Sequence, residues 1–276
     1  MVAERIDWRK VIAEAVTSTM ERVMRIRGFA PGAPCWVELA SAEPGRAQDF
    51  YASLFGWEPA GDRFKLRGRA VAGLTRTRPG RPAGWLTYLA ASDLGSAVRR
   101  FAAAGGRCLR GPVDGRGGQG AVVADPSGAL LGLWQAGDFA GAQTAGEPGA
   151  MAWPELLTDD PAAAERFYGE AFGWLLRDGI EWLTPARDAV AGLAPGGRVG
   201  RWRCAFEVSD CSATVGAACD LGAELVIAPT DMGLGMIAEL RDPWGTPFAV
   251  TAPATRPADL MLQFSALAGM EMTFPG

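Results

Sequence analysis

The sequence of 276 residues contains no histidine. Histidine is the commonest metal ligand and the commonest general acid or base near neutral pH. Its absence excludes every metal site and every catalytic triad that depends on an imidazole. Acid–base chemistry in this protein would have to come from carboxylates and tyrosines, with arginines to stabilise negative charge.

Long apolar runs and basic stretches are also missing. The apolar segments are short and interrupted by Gly, Pro or charged residues, so no membrane-spanning helix is expected. The formal net charge is −4, and without a basic patch nucleic acid is not an expected partner. The N-terminus carries acidic residues and lacks the apolar core of a secretory signal.

Cysteine is sparse and its pattern is uninformative for metal or disulfide chemistry. The chain has five cysteines, an odd number, and none of them forms a CxxC motif. This pattern argues against a disulfide framework and against a zinc site. A reducing cytoplasm is therefore the expected location.

What the sequence does contain is an internal repeat. The segment WVELASAEPGRAQDFYASLFGW, which begins at Trp36, returns 117 residues later as WPELLTDDPAAAERFYGEAFGW from Trp153. The same shift aligns Asp125-Pro126 with Asp242-Pro243. A repeat of this size is a whole domain and is too long for a solenoid unit. Function must therefore be sought in two related cavities, and in the positions where the copies differ.

Each repeat contains two cycles of one strand, one helix and about three further strands. In the first copy, strand Cys35–Ser41 leads into helix Glu43–Phe55. The second cycle starts with strand Trp85–Ala91 and helix Asp93–Ala104, which ends at glycines typical of a helix C-terminus. These patterns predict an α+β fold with two βαβββ modules in each domain.

The composition divides the chain into five segments. Residues 4–27 show apolar residues at helical spacing and predict an amphipathic helix that packs on the domains or across a homodimer. Residues 137–150 are rich in Gly and Ala and predict a linker. The predicted segments are an N-terminal helical extension (1–33), a first domain (34–136), the linker (137–150), a second domain (151–252) and a C-terminal tail (253–276).

Several of these motifs occur together in a known superfamily. An aromatic strand, an acid-Pro step, the pattern xxAxxFYxxxFGW and a closing DPxG resemble the vicinal oxygen chelate superfamily, which includes glyoxalase I, extradiol dioxygenases and bleomycin-resistance proteins. The tandem pair over residues 34–252 resembles two-domain glyoxalase-like proteins. The resemblance implies that in each domain the sheet of the two modules curls around one cleft.

The resemblance also implies metal-ligand positions, and here this sequence departs from the family. The implied positions carry, in chain order, Trp36, Leu86, Gly132, Trp153, Arg203 and Ala249. None of these side chains can hold a divalent cation. We therefore predict a metal-independent protein without a cofactor.

Because side chains alternate along a strand, the same positions define the face that points into each cleft. In the first cleft they predict an aromatic wall of Trp36, Tyr88 and Trp134, with Glu38 as its acid. Gly132 removes a side chain and is expected to leave room for a bulky ligand. Tyr88 is a candidate proton donor.

The second cleft is predicted to be more polar. Arg203 lies beside Glu155 or Glu207, where it either pairs internally or holds an anionic or phenolic ligand. Ala249 is expected to leave room for a ligand, as Gly132 does. The remaining predicted ligand-binding residues of this cleft are Trp153 and Thr251.

Each candidate also has a structural interpretation. Trp36 and Trp153 either stack against a ligand or fill cavities that a metal would otherwise occupy. Glu38 and Glu155 are either catalytic acids or buried acids satisfied by backbone donors. The ion pair of Arg203 is either functional or purely structural.

Three functions are compatible with these patterns. The first is binding of a bulky aromatic small molecule of secondary metabolism, with acid–base transformation such as cyclisation, dehydration or isomerisation. Glu155 would then be the base and Arg203 its electrostatic partner, in the second cleft. The alternatives are a drug-sequestering protein of the bleomycin-resistance type, and a non-catalytic interaction protein with degenerate clefts.

Overall fold

The computed structural model describes residues 28–77, 83–115, 117–196, 199–231 and 235–253. The predicted N-terminal helix, its possible role in a homodimer, and residues 254–276 of the predicted tail lie outside these ranges. None of the helices in the described part of the chain is long and apolar enough to cross a membrane.

The first repeat folds into eight strands and two helices. Its elements are β1 (Pro34–Ser41), α1 (Pro44–Phe55), β2 (Glu58–Ala60), β3 (Arg63–Leu66), β4 (Arg69–Arg76), β5 (Gly84–Ala90), α2 (Leu94–Ala103), β6 (Arg107–Gly115), β7 (Gly118–Ala124) and β8 (Leu130–Ala136). They form one mixed sheet in the order β2-β3-β4-β1-β5-β8-β7-β6.

The second repeat has the same elements in the same order. They are β9 (Met151–Thr158), α3 (Pro161–Phe172), β10 (Leu175–Arg177), β11 (Glu181–Leu183), β12 (Ala189–Pro195), β13 (Arg201–Glu207), α4 (Cys211–Asp220), β14 (Glu224–Asp231), β15 (Gly235–Arg241) and β16 (Pro247–Pro253). Their sheet has the order β10-β11-β12-β9-β13-β16-β15-β14. The predicted α+β fold of tandem βαβββ modules is confirmed.

The two modules of each domain join at their first strands. β1 pairs parallel with β4 of its own module and antiparallel with β5 of the next. The FGW motif ends the preceding helix in both copies, because Gly56 and Gly173 adopt the left-handed conformation that favours glycine at a helix C-terminus. Each chain reversal then buries the following tryptophan, Trp57 or Trp174.

The two domains share their hydrophobic cores. One core combines the first module of domain one with the second module of domain two, and another core combines the remaining two modules. Phe55 and Phe206 pack across the boundary with ring centroids 5.0 Å apart. Phe101 and Phe167 make the equivalent contact at 4.8 Å. The helical faces of the sheets are therefore buried between the domains.

Hydrogen bonds between the two strongest sequence motifs join the domains. Tyr51 of the first FY motif donates to Asp242 Oδ2 of the second DPxG turn at 3.0 Å, and Trp85 Nε1 donates to the Tyr51 hydroxyl at 3.0 Å. In the reciprocal set, Tyr168 donates to Asp125 Oδ2 at 2.8 Å and accepts from Trp202 Nε1 at 2.9 Å. Burial, reinforced by the neighbouring aspartate, raises the pKa of both tyrosines well above its usual range.

A pseudo-two-fold axis relates these contacts. Thr87 and Cys204 are equivalent positions of the repeat, and their side chains meet each other with an Oγ1–Sγ distance of 3.1 Å. An atom that contacts its own repeat equivalent lies next to the symmetry axis. The FY and DPxG motifs thus hold the domains together, and the opposite, concave faces of both sheets remain for ligands.

Candidate functional site

A cavity of about 290 Å³ opens on the concave face of the first sheet. Four residues predicted from the sequence line this cavity: Trp36, Glu38, Tyr88 and Trp134. Trp36 and Tyr88 are only 6% exposed, whereas Trp134 is half-buried. This cavity is the first cleft.

A fourth aromatic residue of the first cleft comes from the linker. The Phe139 ring packs edge-on against Trp36, with centroids 4.9 Å apart, and its carbonyl accepts a hydrogen bond from Trp134 Nε1 at 2.9 Å. The guanidinium of Arg63 lies 3.7 Å from the centre of the Phe139 ring. The segment predicted as a spacer is therefore part of the cleft wall.

The sequence AVAGL occurs at residues 70–74 and again at residues 189–193, and its glycine positions the cleft side chains. A Cβ at Gly73 would lie 2.7 Å from Glu38 Cγ and 3.0 Å from Trp36 Nε1, so only glycine lets both side chains lie across β4. Gly192 has the same relation to Trp153 and Glu155. The identity of this motif in both copies therefore follows from the packing of the cleft floor.

The room expected above Gly132 is filled by a neighbouring side chain. A Cβ at Gly132 would lie between 2.2 and 2.5 Å from atoms of the Tyr88 ring. The two residues are in register on β5 and β8, so the ring lies flat over the glycine. Gly132 thus accommodates Tyr88, and any ligand contacts the outer face of this ring.

Cys35 lies behind the first cleft and is not a nucleophile candidate. Its side chain is fully buried and Sγ contacts the Tyr88 carbonyl at 3.4 Å. Burial raises the pKa of the Cys35 thiol far above its usual range, which suppresses the reactive thiolate.

The second cleft contains a buried network of charges. Arg203, with a side chain only 10% exposed, pairs with Glu155 and donates from Nη1 to Glu239 Oε2 at 2.8 Å. Arg201 donates from Nη2 to Glu239 Oε1 at 2.6 Å. Burial alone would lower the pKa of Arg203, but the two carboxylates raise it above its usual range. The two positive and two negative groups therefore compensate one another within the protein.

Arg201, Arg203 and Glu239 line a cavity of about 260 Å³ in the second cleft, and their ion pairs cross the neighbouring strand. Ala205, Ala249 and Glu239 are in register on three adjacent strands, so the pair between Arg203 and Glu239 spans the strand that carries Ala249. Ala249 is completely buried. Its small side chain makes room for an ion pair within the protein.

The other predicted residues of the second cleft have separate positions. Trp153 is half-buried beside Gly192. Thr251 donates from Oγ1 to the Met236 carbonyl at 3.0 Å. Glu207 lies at the end of β13, where its backbone hydrogen-bonds with the linker. Of the two acids predicted beside Arg203, Glu155 is the one that the structure pairs with it.

Sequence reasoning missed Glu239 and Arg201 in the second cleft. At the shift of 117 residues they align with Val122 and Gly84 of the first copy. A change from an apolar or absent side chain to a charged one at two cleft positions is a signal that this alignment already contained. Arg63 and Phe139 had no such signal, because they reach the first cleft from an edge hairpin and from the linker.

The residues at the implied metal positions do not fit a divalent cation. The described part of the chain has no group of three or more His, Cys, Asp or Glu side chains that could hold a metal ion. Where two carboxylates do approach each other, at Glu155 and Glu239, the Arg203 guanidinium lies between them. The two carboxylates that could ligate a metal ion are thus already paired with a guanidinium, which is itself a cation.

Comparison with known proteins gives matches along most of the chain. The model of the glyoxalase/bleomycin resistance protein/dioxygenase superfamily matches residues 35–133, and a glyoxalase-like domain model matches residues 154–251. The anthracycline biosynthesis protein DnrV of Streptomyces peucetius is 36% identical over 257 residues, covering 80% of this chain and 94% of the relative. Protein DauV of Streptomyces sp. strain C5, also named for anthracycline biosynthesis, matches with the same values.

Solved structures share the fold at low sequence identity. The Mn(II)-bound glyoxalase from Novosphingobium aromaticivorans has a TM-score of 0.56 and 17% identity, covering 80% of this chain and 82% of that one. The 2,3-dioxygenase LapB from Pseudomonas sp. KL28 has a TM-score of 0.53 and 17% identity, covering 83% and 94%. Two matched domains and relatives above one-third identity show that the chain belongs to the glyoxalase/bleomycin resistance protein/dioxygenase superfamily, with two such domains in tandem.

Proposed function

We propose that the protein binds a bulky aromatic small molecule of secondary metabolism in the first cleft, without a metal ion. The observation that carries this proposal is the lining of that cleft by Trp36, Tyr88, Trp134 and Phe139 around a cavity of about 290 Å³. Aromatic walls with a few polar groups are typical of sites that bind ring systems.

The names of the relatives support the ligand class. DnrV and DauV are named for anthracycline biosynthesis, and anthracyclines are fused-ring aromatic compounds. Their alignments with this chain cover 94% of each relative, so the likeness extends over both domains. A planar ring system between aromatic side chains is the ligand that the cleft walls accommodate best.

Metal independence is supported by the residue types in both clefts. Trp36 stands at an implied ligand position in the first cleft, and Arg203 stands at one in the second. An indole does not coordinate a divalent cation, and a guanidinium repels it. Elemental analysis that finds a stoichiometric transition metal in the purified protein would contradict this part of the proposal.

A matched pair of tryptophan substitutions tests the site. We expect Trp36→Leu to weaken binding of a planar probe such as anthraquinone about tenfold, because it removes a stacking wall. Trp153→Leu, at the equivalent position of the other domain, serves as the control and should leave the dissociation constant unchanged. Titration is followed by quenching of tryptophan fluorescence. Equal loss in both variants, or a loss confined to Trp153→Leu, would place the ligand elsewhere.

Acid–base transformation of the ligand is the second candidate function. It is favoured by one observation, the presence of a carboxylate and a phenol, Glu38 and Tyr88, in the lining of the first cleft. In the second cleft the predicted base Glu155 is paired with its predicted electrostatic partner Arg203, so it would have to leave this ion pair to accept a proton. Turnover separates this function from sequestration, which binds the ligand and releases it unchanged.

Glutamine substitutions identify the acid responsible for any turnover. Once a converted compound is found by mass spectrometry, Glu155→Gln should abolish its conversion and largely retain its binding if the second cleft is catalytic. Glu38→Gln should do so if the first cleft is catalytic. If a variant converts the compound as fast as the wild-type protein does, the substituted glutamate is not the catalytic group.

A further inference from the structure

Arg110 reaches the first cleft from the edge of the first sheet. It belongs to the edge strand β6, where eight of the nine residues are exposed and Arg110 alone is half-buried. Its side chain lines the same cavity as Trp36 and Trp134. Within the described ranges of the chain, no oxygen atom forms a hydrogen bond or an ion pair with its guanidinium.

The backbone of β6 directs Arg110 into the cleft. The pairing of β6 with β7 shifts register on both sides of this residue, between Cys108 and Arg110 and again between Arg110 and Val113. A β-bulge redirects the side chain that it carries. The double irregularity therefore places Arg110 in the cavity lining, together with Val113 and Asp114 of the same strand.

The second domain has the same β-bulge, but a different residue stands at the position equivalent to Arg110. β14 has the same two shifts around Ile227, and Ile227 pairs with Glu239 as Arg110 pairs with Val122. The β-bulge is thus present in both domains, whereas the residue at its centre is charged in the first domain and apolar in the second. Folding of the strand does not require an arginine here, because isoleucine occupies the equivalent position.

The other charged groups of the first cleft, including the acids Glu38 and Asp62, already have interaction partners. Arg76 donates to the Ala42 carbonyl at 2.8 Å, and Asp114 accepts from Gln119 at 2.8 Å. Arg63 is stacked on Phe139. A half-buried guanidinium beside aromatic walls, with no acceptor among the described residues, matches a ligand that carries an ionised oxygen.

We propose that Arg110 binds an acidic oxygen, a carboxylate or an ionised hydroxyl, on the aromatic ligand of the first cleft. The proposal rests on the proposed function and narrows it to aromatic anions. The rings would contact Trp36 and Trp134, and the acidic oxygen would accept a hydrogen bond from the Arg110 guanidinium in the same cavity. Arg110 acts in this way as a specificity-determining residue.

Two probes that differ in one group test this role. Anthraquinone-2-carboxylate carries the acidic oxygen, and anthraquinone-2-carboxamide has the same rings without the charge. We expect the wild-type protein to bind the carboxylate about tenfold more tightly than the amide, since a charge-assisted hydrogen bond is lost in the amide. Fluorescence titration at two salt concentrations measures both affinities, and the preference should shrink at high salt.

Three variants assign the preference to Arg110. Arg110→Ile installs the residue of the second domain and should abolish the preference, because it weakens binding of the carboxylate far more than binding of the amide. Arg110→Lys keeps the charge and should retain part of the preference. Arg107→Gln removes a positive charge from an exposed position of the same strand, and is the control that should behave as wild type.

The outcomes separate this proposal from the proposed function. If wild-type protein binds both probes equally, or if Arg110→Ile keeps the preference for the carboxylate, the role of Arg110 is wrong and the aromatic site stands. If neither probe binds, the aromatic site itself is refuted, and the role of Arg110 with it. Circular dichroism and thermal unfolding of Arg110→Ile verify that the fold is intact.

Discussion

At the scale of single residues, Arg203 determines the charge balance of the second cleft. It holds the carboxylates of Glu155 and Glu239, and Arg201 completes the network on the outer side. Glu239 is only 4% exposed in its side chain, so its charge depends on the guanidinium groups for stabilisation. A buried pair of this kind adds little net stability, but removing one partner is costly.

Substitution of Arg203 should therefore destabilise the protein strongly. We expect Arg203→Ala to lower the free energy of unfolding by about 3–5 kcal/mol, because it leaves Glu155 without its counter-ion and Glu239 with Arg201 alone in a largely buried site. Urea denaturation followed by tryptophan fluorescence measures the change.

Arg241→Ala provides the matched control for this prediction. Arg241 pairs with Glu224 at 3.6 Å, and both side chains are largely exposed. Its removal should cost less than about 1 kcal/mol. A similarly small loss in Arg203→Ala would show that the network is hydrated in solution.

At the scale of elements, the linker is a packed part of the first domain. The Ala142 amide donates to the Cys35 carbonyl at 2.8 Å, and Trp57 Nε1 donates to the Gly149 carbonyl at 2.6 Å. Ala142 and Ala150 are buried. A composition rich in Gly and Ala, which predicts flexibility in isolation, here allows close approach of one backbone to another.

Two glycines of the linker differ in how closely other atoms surround them, so substituting each of them tests whether the linker is packed. Gly141 and Gly146 both have positive φ, but a Cβ on Gly141 would lie 2.2 Å from the Cys35 carbonyl oxygen, whereas Gly146 has no atom within 4 Å. We expect Gly146→Ala to cost about 1 kcal/mol from backbone strain alone. Gly141→Ala should cost about 3 kcal/mol or more, because backbone atoms must shift. Thermal unfolding compares the two, and equal costs would mean that the linker does not pack on β1.

At the scale of the whole molecule, the tandem domains form one folding unit. The cores are shared between modules of different domains, and each buried DPxG aspartate accepts a hydrogen bond from the tyrosine of the other copy. Neither domain can keep its helical face buried alone. We infer that the repeat unfolds as a unit, and that both domains are needed to form either cleft.

Removal of one interdomain hydroxyl tests this cooperation. Tyr51→Phe and Tyr168→Phe should each lower the free energy of unfolding by about 1–3 kcal/mol, because each removes a donor from a buried aspartate. Unfolding should remain a single transition in calorimetry. Two separate transitions in either variant, or in the wild type, would show that the domains fold independently.

The loss in Tyr51→Phe should also depend on pH. Burial raises the pKa of Asp242, and the hydrogen bond from Tyr51 opposes this shift by stabilising the carboxylate. The folded state therefore binds more protons than the unfolded state just above the ordinary pKa of an aspartate, and this group's contribution to stability falls as pH rises. Without Tyr51 the pKa of Asp242 rises further, so the variant should lose more stability at pH 8 than at pH 4.

The amino-acid sequence by itself determined the fold, because the signals for it are local or repeated along the chain. The strand and helix periodicities, the glycines after each helix and the repeat of 117 residues fix the modules and their order. Strand alternation also placed Trp36, Glu38, Tyr88 and Trp134 on one face, because side-chain direction in a strand has a period of two.

Only the tertiary structure decided which residues beyond these strand positions complete each cleft. Glu239 reaches Arg203 across a strand, Phe139 enters the first cleft from the linker, and Arg110 turns inward at a bulge. Each of these contacts depends on how elements distant in sequence pack and on where a ladder shifts register. Periodicity along one strand contains no information about either, which is why the scaffold and four residues of the first cleft were predictable and the rest of the cleft lining was not.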